Sequence, residues 1–135
     1  MAEGYFRKLV DDAGLENIES ASAGVAAAAG EPPSRWAVEV ARVFGMDISS
    51  FRSAPLTFDE IERADLVVPM TVSHEAAVLA LCPDAAVKTK RLGEFGGDGD
   101  ISDPFGGGLE SYQACFDGIR KALDRLFDKI KNKEI

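Results

Sequence analysis

Helical patterns alternating with short apolar runs predict an α/β chain, a parallel sheet with helices on both faces. Three observations carry this expectation. Leu109 to about Ile130 places Tyr112, Phe116, Ile119, Leu123, Leu126, Phe127 and Ile130 on one apolar stripe with charges elsewhere, the mark of an amphipathic helix. Leu66-Val67-Val68 is a short apolar run cut off by Pro69, which has no N–H for a ladder and so ends a buried strand. Helical stretches are closed by chain stoppers: Gly14, Gly45 and Pro83.

Taken in order, Ala2 to Leu15 reads as a helix, with Tyr5, Phe6, Leu9 and Val10 at spacings of three and four. Ile18 to Ala23 alternates and reads as a strand. Gly24 to Pro33 is a loop with an alanine run at its centre. Ser34 is placed to cap a helix whose apolar face carries Trp36, Val40, Val43 and Phe44. Thr57-Phe58-Asp59-Glu60 has the form of a capping box opening a short helix to Ala64. Ser73 to Cys82 is a further helical stretch, and Val87 to Leu92 a further strand. Gly93 to Gly108 is a loop rich in glycine and aspartate. Three strands make a thin sheet for this architecture.

Composition narrows the function classes. A chain of 135 residues reads as a single domain over 1–135, long enough for a real core. The formal net charge of -8 argues against a nucleic-acid backbone as partner. No stretch reaches the roughly 18 apolar residues of a membrane span, and the first residues do not read as a signal peptide. The expected location is cytoplasmic, with no membrane partner. Cys82 and Cys115 are too few for a disulfide framework or a zinc cluster and read as small, partly buried thiols. His74 is the only histidine, so a Ser/His/Asp arrangement would have to rest on it alone. No metal or other cofactor is implied.

The best candidate for chemistry is Asp100-Ile101-Ser102-Asp103-Pro104-Phe105-Gly106. An aspartate before proline, with an aromatic after it, can be held rigidly and partly desolvated, which suits a carboxyl to general-acid work. The competing reading is a plain Asp-Pro turn leading into the last helix.

Landmarks in order along the chain change that weighting. They are Ser22-Ala23-Gly24, Gly30-Glu31-Pro32, Asp47-Ile48-Ser49 with Arg52, and Ala64-Asp65-Leu66-Val67 with Met70. They continue with Leu92-Gly93-Glu94-Phe95-Gly96-Gly97, Asp103-Pro104-Phe105 and Gly106-Gly107-Gly108-Leu109-Glu110. Together they cover essentially the whole chain, which resembles the bacterial low-molecular-weight protein-tyrosine phosphatases. The resemblance implies a flavodoxin-like three-layer α/β sandwich. It also implies that Asp103 is the acid that protonates the leaving tyrosine oxygen.

In that family a first, interior strand and a Cys-x5-Arg-Ser-Pro loop precede the stretch matching Met1-Ala2-Glu3-Gly4, and that loop supplies the nucleophilic thiolate and the phosphate cradle. No Cys-x5-Arg occurs in this sequence; Cys115 precedes Arg120 by five positions but falls mid-helix, where amides are already bonded. The expectation is a phosphatase-like protein without a nucleophile, inactive as given, used for binding or assembly. Further departures from the family pattern are Val25 with its alanines, Ser34-Arg35-Trp36-Ala37, Phe51, and Met70-Thr71. They are expected to cluster at the cleft and leave Asp103 vestigial. Without an interior strand, two edges would lie unpaired roughly 10 Å apart, so a homodimer is expected, with no other protein partner named. The alternative is a working tyrosine phosphatase whose true start lies upstream of Met1. An arsenate reductase would need a further cysteine near Cys82, and none is close in sequence.

Overall fold

The computed structural model describes residues 1–25, 28–96 and 99–134. Its regular elements are six α-helices and one 3-10 turn: α1 (Ala2–Asp12), α2 (Arg35–Val43), α3 (Phe58–Arg63), α4 (Val72–Leu81), the 3-10 turn Pro83–Lys88, α5 (Gly93–Gly96) and α6 (Leu109–Lys131). The caps are those the sequence announces. Ser34 Oγ accepts from Ala37 N at 3.3 Å and opens α2, and Gly45, at φ +80, supplies the left-handed turn that ends it. Thr57 Oγ1 accepts from Glu60 N at 3.3 Å and opens α3. The capping box is not the reciprocal one, because the Thr57 hydroxyl itself donates to the Glu60 carboxylate at 3.1 Å.

The main core forms where α6 meets α1, α2 and α5. Phe116, Ile48 and Leu92 are fully buried there. The Tyr5 ring stands edge-on to Phe116 at 5.6 Å, and Phe44 tilts against Phe116 at 4.7 Å. Such pairs add about 1 kcal/mol each beyond the area they bury. The Tyr5 hydroxyl donates to Asp124 Oδ1 at 2.7 Å, so its polar end stays satisfied while the ring is buried. A smaller cluster of Ile61, Val78, Cys82 and Ala85 sits under α3 and α4. The stripe on α6 is buried from Tyr112 to Phe127, as its periodicity requires. On α2 the expected face is only half right. Ala37, Val40 and Ala41 are buried, whereas Val43 is 68% exposed, because the helix turns its last residue away from α6.

The strand expectations are corrected. Among the described residues the extended segments form two isolated parallel bridges, Gly24 with Pro55 and Val67 with Thr89, and no longer ladder. Each bridge has its pair of hydrogen bonds: Gly24 N to Ala54 O and Leu56 N to Gly24 O, then Val67 N to Lys88 O and Lys90 N to Val67 O. Leu92 N also reaches Pro69 O at 2.9 Å. The parallel sense is as expected; the length is not. Ile18–Ala23 is held by side chains of α1 instead, with Ser22 Oγ donating to Glu3 at 2.6 Å and Arg7 donating to Ser20 O at 3.2 Å. Val87 and Lys88 belong to the 3-10 turn that Pro83 opens, and Val87 is 88% exposed. Thr89 Oγ1 closes that turn by donating to Ala85 O at 2.7 Å, leaving only Thr89 to Arg91 outside a turn or helix before α5. Leu66 and Val68 are half-buried, and their backbone groups have no backbone partner among the described residues. On this segment Val67 and Pro69 are paired, and of the alternate residues Leu66, Val68 and Met70 only Met70 has a backbone partner among the described residues, Ile101 N at 2.9 Å.

Candidate active site

The loop from Asp100 to Gly108 crosses one side of a cleft of about 590 Å³, lined by Asp103, Phe105, Ser111 and Cys115 among others. Its conformation follows from short-range bonds. Asp103 Oδ1 accepts from Phe105 N at 3.0 Å, an Asx turn that fixes the carboxylate against its own backbone. Gly107 N then donates to Pro104 O at 2.9 Å. Gly106 lies at φ +85, and a Cβ on Gly107 would come within 2.7 Å of Ser111 Oγ. The glycines after Phe105 thus let the loop fold tightly onto the first turn of α6.

Asp103 is exposed at the cleft mouth, not partly desolvated as its sequence context suggested. Its rigidity comes from the Asx turn, and one carboxylate oxygen, Oδ2, is left out of that bond. A carboxyl fixed at one oxygen and open at the other can pass a proton to a group entering the cleft. Phe105 stands beside it at 84% exposure, an aromatic face turned to solvent.

Cys115 lies on α6 in the same cleft, its Sγ 3.5 Å from Ser102 O, toward which the thiol donates. Burial pushes this thiol up from its ordinary value; the N-terminal ammonium opposes that, and the nearby Asp103 carboxylate adds a smaller push upward. A thiol held protonated is a poor nucleophile. Arg120, five residues on, is engaged elsewhere, ion-paired to Asp117 at 3.6 Å and over the Phe44 ring at 5.4 Å. Cys82 is buried in the smaller cluster beneath α4. The structure therefore brings Asp103, Phe105 and Cys115 together and leaves Cys82 apart. His74 is on the first turn of α4, where its backbone N–H is capped by Thr71 Oγ1 at 3.1 Å.

Several positions expected to reshape the cleft have structural duties. Thr71 is the N-cap of α4. Phe51 and Trp36 pack on the main core, with Arg7 over the Phe51 ring at 5.2 Å and Arg35 over Trp36 at 4.3 Å. Val25 is exposed, and Ala26 and Ala27 lie outside the described residues. Sequence reasoning missed the neighbours that fix the acid-bearing loop from outside it. Ile101 N donates to Met70 O at 2.9 Å, and the Asp100 carboxylate accepts from Val72 N at 3.1 Å. No local pattern announces these bonds, since their partners are about thirty residues apart.

Comparison with known proteins agrees with this architecture. The family model "Low molecular weight phosphotyrosine protein phosphatase" matches residues 1–135. The chain is 37% identical over 128 residues to a protein-arginine-phosphatase of Geobacillus stearothermophilus, covering 93% of this chain and 86% of that protein. It is 34% identical over 134 residues to a protein-arginine-phosphatase of Bacillus subtilis, covering 97% and 87%. Among solved structures, a low molecular weight protein tyrosine phosphatase from T. tengcongensis superposes with a TM-score of 0.88 at 37% identity, covering 95% of this chain and 88% of that one. The paired segments and surrounding helices thus correspond to the flavodoxin-like α/β fold, and the chain belongs to the low molecular weight phosphotyrosine protein phosphatase family.

Proposed function

We propose that this chain carries the acid-bearing side of a phosphatase-type site and that, as these 135 residues, it does not by itself hydrolyse a phosphomonoester. The observation that carries the reading is the pairing in one cleft of an exposed, turn-locked Asp103 with Cys115, a half-buried thiol in the middle of α6. Cys115 sits within α6, where the backbone N–H groups are committed to the helix and offer no cradle for a phosphate. In this form its use is binding or assembly. The test is hydrolysis of p-nitrophenyl phosphate and of a phosphoarginine peptide by the purified chain. The expected result is no turnover above buffer. Turnover lost on Cys115→Ser or Cys82→Ser would overturn the reading by identifying a nucleophile.

A second reading is a working phosphatase acting on phosphotyrosine or phosphoarginine side chains, with a nucleophile supplied from outside these residues and Asp103 as proton donor to the leaving atom. The intact Asp103-Pro104-Phe105 turn favours it, as do relatives bearing the name protein-arginine-phosphatase. Intact mass of the protein from its own cells separates the two readings. A mass of 14.4 kDa supports the first, and a heavier chain that hydrolyses either substrate supports the second.

The reading includes self-association. It is supported by the open edge at Leu66 and Val68, since unpaired backbone groups on an extended segment favour pairing with another chain. Sedimentation at micromolar concentration should give twice the chain mass; a strictly monomeric boundary would sink this part.

A further inference from the structure

We infer that Arg91 and Asp100 are positioning residues that latch the Asp103 loop onto α4. This rests on the reading of Asp103 as the proton donor. Besides the Cys115 thiol on Ser102 O, the loop is tied to the rest of the molecule just ahead of Asp103 at two backbone N–H groups, its own Ile101 and Val72 of α4. Ile101 N donates to Met70 O at 2.9 Å. Both oxygens of Asp100 accept from Val72 N, at 3.1 and 3.2 Å, where α4 begins and its first N–H groups have no intrahelical acceptor. A carboxylate there also meets the positive end of the helix. Asp100 thus acts as a second cap, supplied by a loop far away in sequence, on a helix whose own Thr71 already caps His74 N.

Arg91 stands behind this contact. Its Nη1 lies 3.4 Å from Asp100 Oδ1, its Nε 3.7 Å from Glu75 Oε1 on α4, and its Nη2 3.9 Å from Glu94 Oε1 on α5. One planar guanidinium spans three carboxylates on three segments, which a lysine's point charge could not do. The side chain is 26% exposed, and its buried Nε has no hydrogen-bond partner among the described residues. Of its three acids the guanidinium donates a hydrogen bond to the loop's own, from Nη1 to Asp100 Oδ1 at 3.4 Å. If its only duty were to neutralise Glu75, no contact with the loop would be needed. Through Asp100 it fixes the loop's origin, and the Asx turn three residues later carries that position to Asp103.

The readout is the Phe105 amide, which bonds Asp103 Oδ1 and reports that carboxylate in an NMR pH series. Asp103→Asn, which should abolish its pH response, validates the probe. Asp100→Ala and Arg91→Met are each expected to reduce the amplitude of that response at least twofold and to speed exchange of the Ile101 amide at least tenfold. The amides of Phe116 and Leu123 in α6 are expected to keep their wild-type exchange. Arg91→Lys is expected to fall with Arg91→Met. Unchanged Phe105 and Ile101 signals would overturn the inference. So would equal acceleration in α6, because that reduces the pair to general stability. None of these signals needs turnover. If Asp103 is not the proton donor, Asp103→Asn leaves hydrolysis unchanged in the heavier, active chain of the second reading, while the latch result stands.

Discussion

The two sides of this molecule are built on different physical terms. The α1/α2/α6 side is made of helices, which satisfy their own backbone groups and need neighbours only to cover an apolar stripe. The extended side consists of Gly24 bridged to Pro55 and Val67 bridged to Thr89, with Ile18–Ala23 hung from Glu3 and Arg7. An extended segment has no internal partners, so every unmade pairing leaves an N–H or C=O to solvent or to a side chain. The acid-bearing loop is fastened to the extended side at Met70, to α4 at Val72 and to α6 at Cys115. The candidate chemistry therefore sits where the two sides meet.

The comparison can be broken most sharply at Phe116, which is fully buried where α6 meets α1 and α2. Phe116→Ala is expected to cost about 3–5 kcal/mol in denaturant unfolding. A cost below about 1 kcal/mol would mean that the helical side is not the stability core.

Tyr5 gives the next largest effect. Burial, then the hydrogen bond to Asp124, pushes its phenol up to about 12 from an ordinary 10. The folded state favours the protonated form, so this contribution is complete below pH 10 and is lost as pH rises through about 12, amounting to roughly 2–3 kcal/mol at most. Unfolding followed between pH 9 and 12 should show that loss in the wild type. Tyr5→Phe should remove the pH-linked part and lower neutral-pH stability by about 1 kcal/mol. An alkaline loss that persists in Tyr5→Phe would place its source elsewhere.

Thr57→Ala removes the side-chain cap of α3 and is expected to cost about 1 kcal/mol. Asp59 and Glu60 in the first turn should soften that cost at low salt. The smallest effect sharpens the comparison most finely. Ser22→Ala breaks the exposed bond to Glu3 and should change global stability by less than about 0.5 kcal/mol. Hydrogen exchange should nonetheless rise across 18–23 and stay unchanged in α6. Equal exchange in both regions would show that the extended segment has support beyond its side-chain ties.

The helices and their ends were legible because their causes are local. Ser34, Thr57 and Gly45 act within one turn, and the stripe from Tyr112 to Phe127 repeats at the helical period. The turn at Asp103-Pro104 was legible too, whereas the carboxylate's exposure was not, because burial depends on what packs over the loop. The strands were not. Alternation at Ile18–Ala23 and the apolar run at Leu66–Val68 announce a segment's preference, but a ladder also needs a second segment at hydrogen-bonding distance. Val87 shows the same limit, because the 3-10 turn opened by Pro83, four residues earlier, took its backbone first.

The sequence by itself determined the helical framework and the family to which the chain belongs, and it singled out the loop that carries Asp103. Only the tertiary structure decided which extended residues pair, that Thr71, Phe51 and Trp36 serve the framework, and that Arg91 and Asp100 hold the loop. The physical reason is range. Periodicity and capping act over a few residues and leave a record in the order of the chain. Contacts such as Asp100 with Val72, or Ile101 with Met70, exist only once distant segments have been brought together.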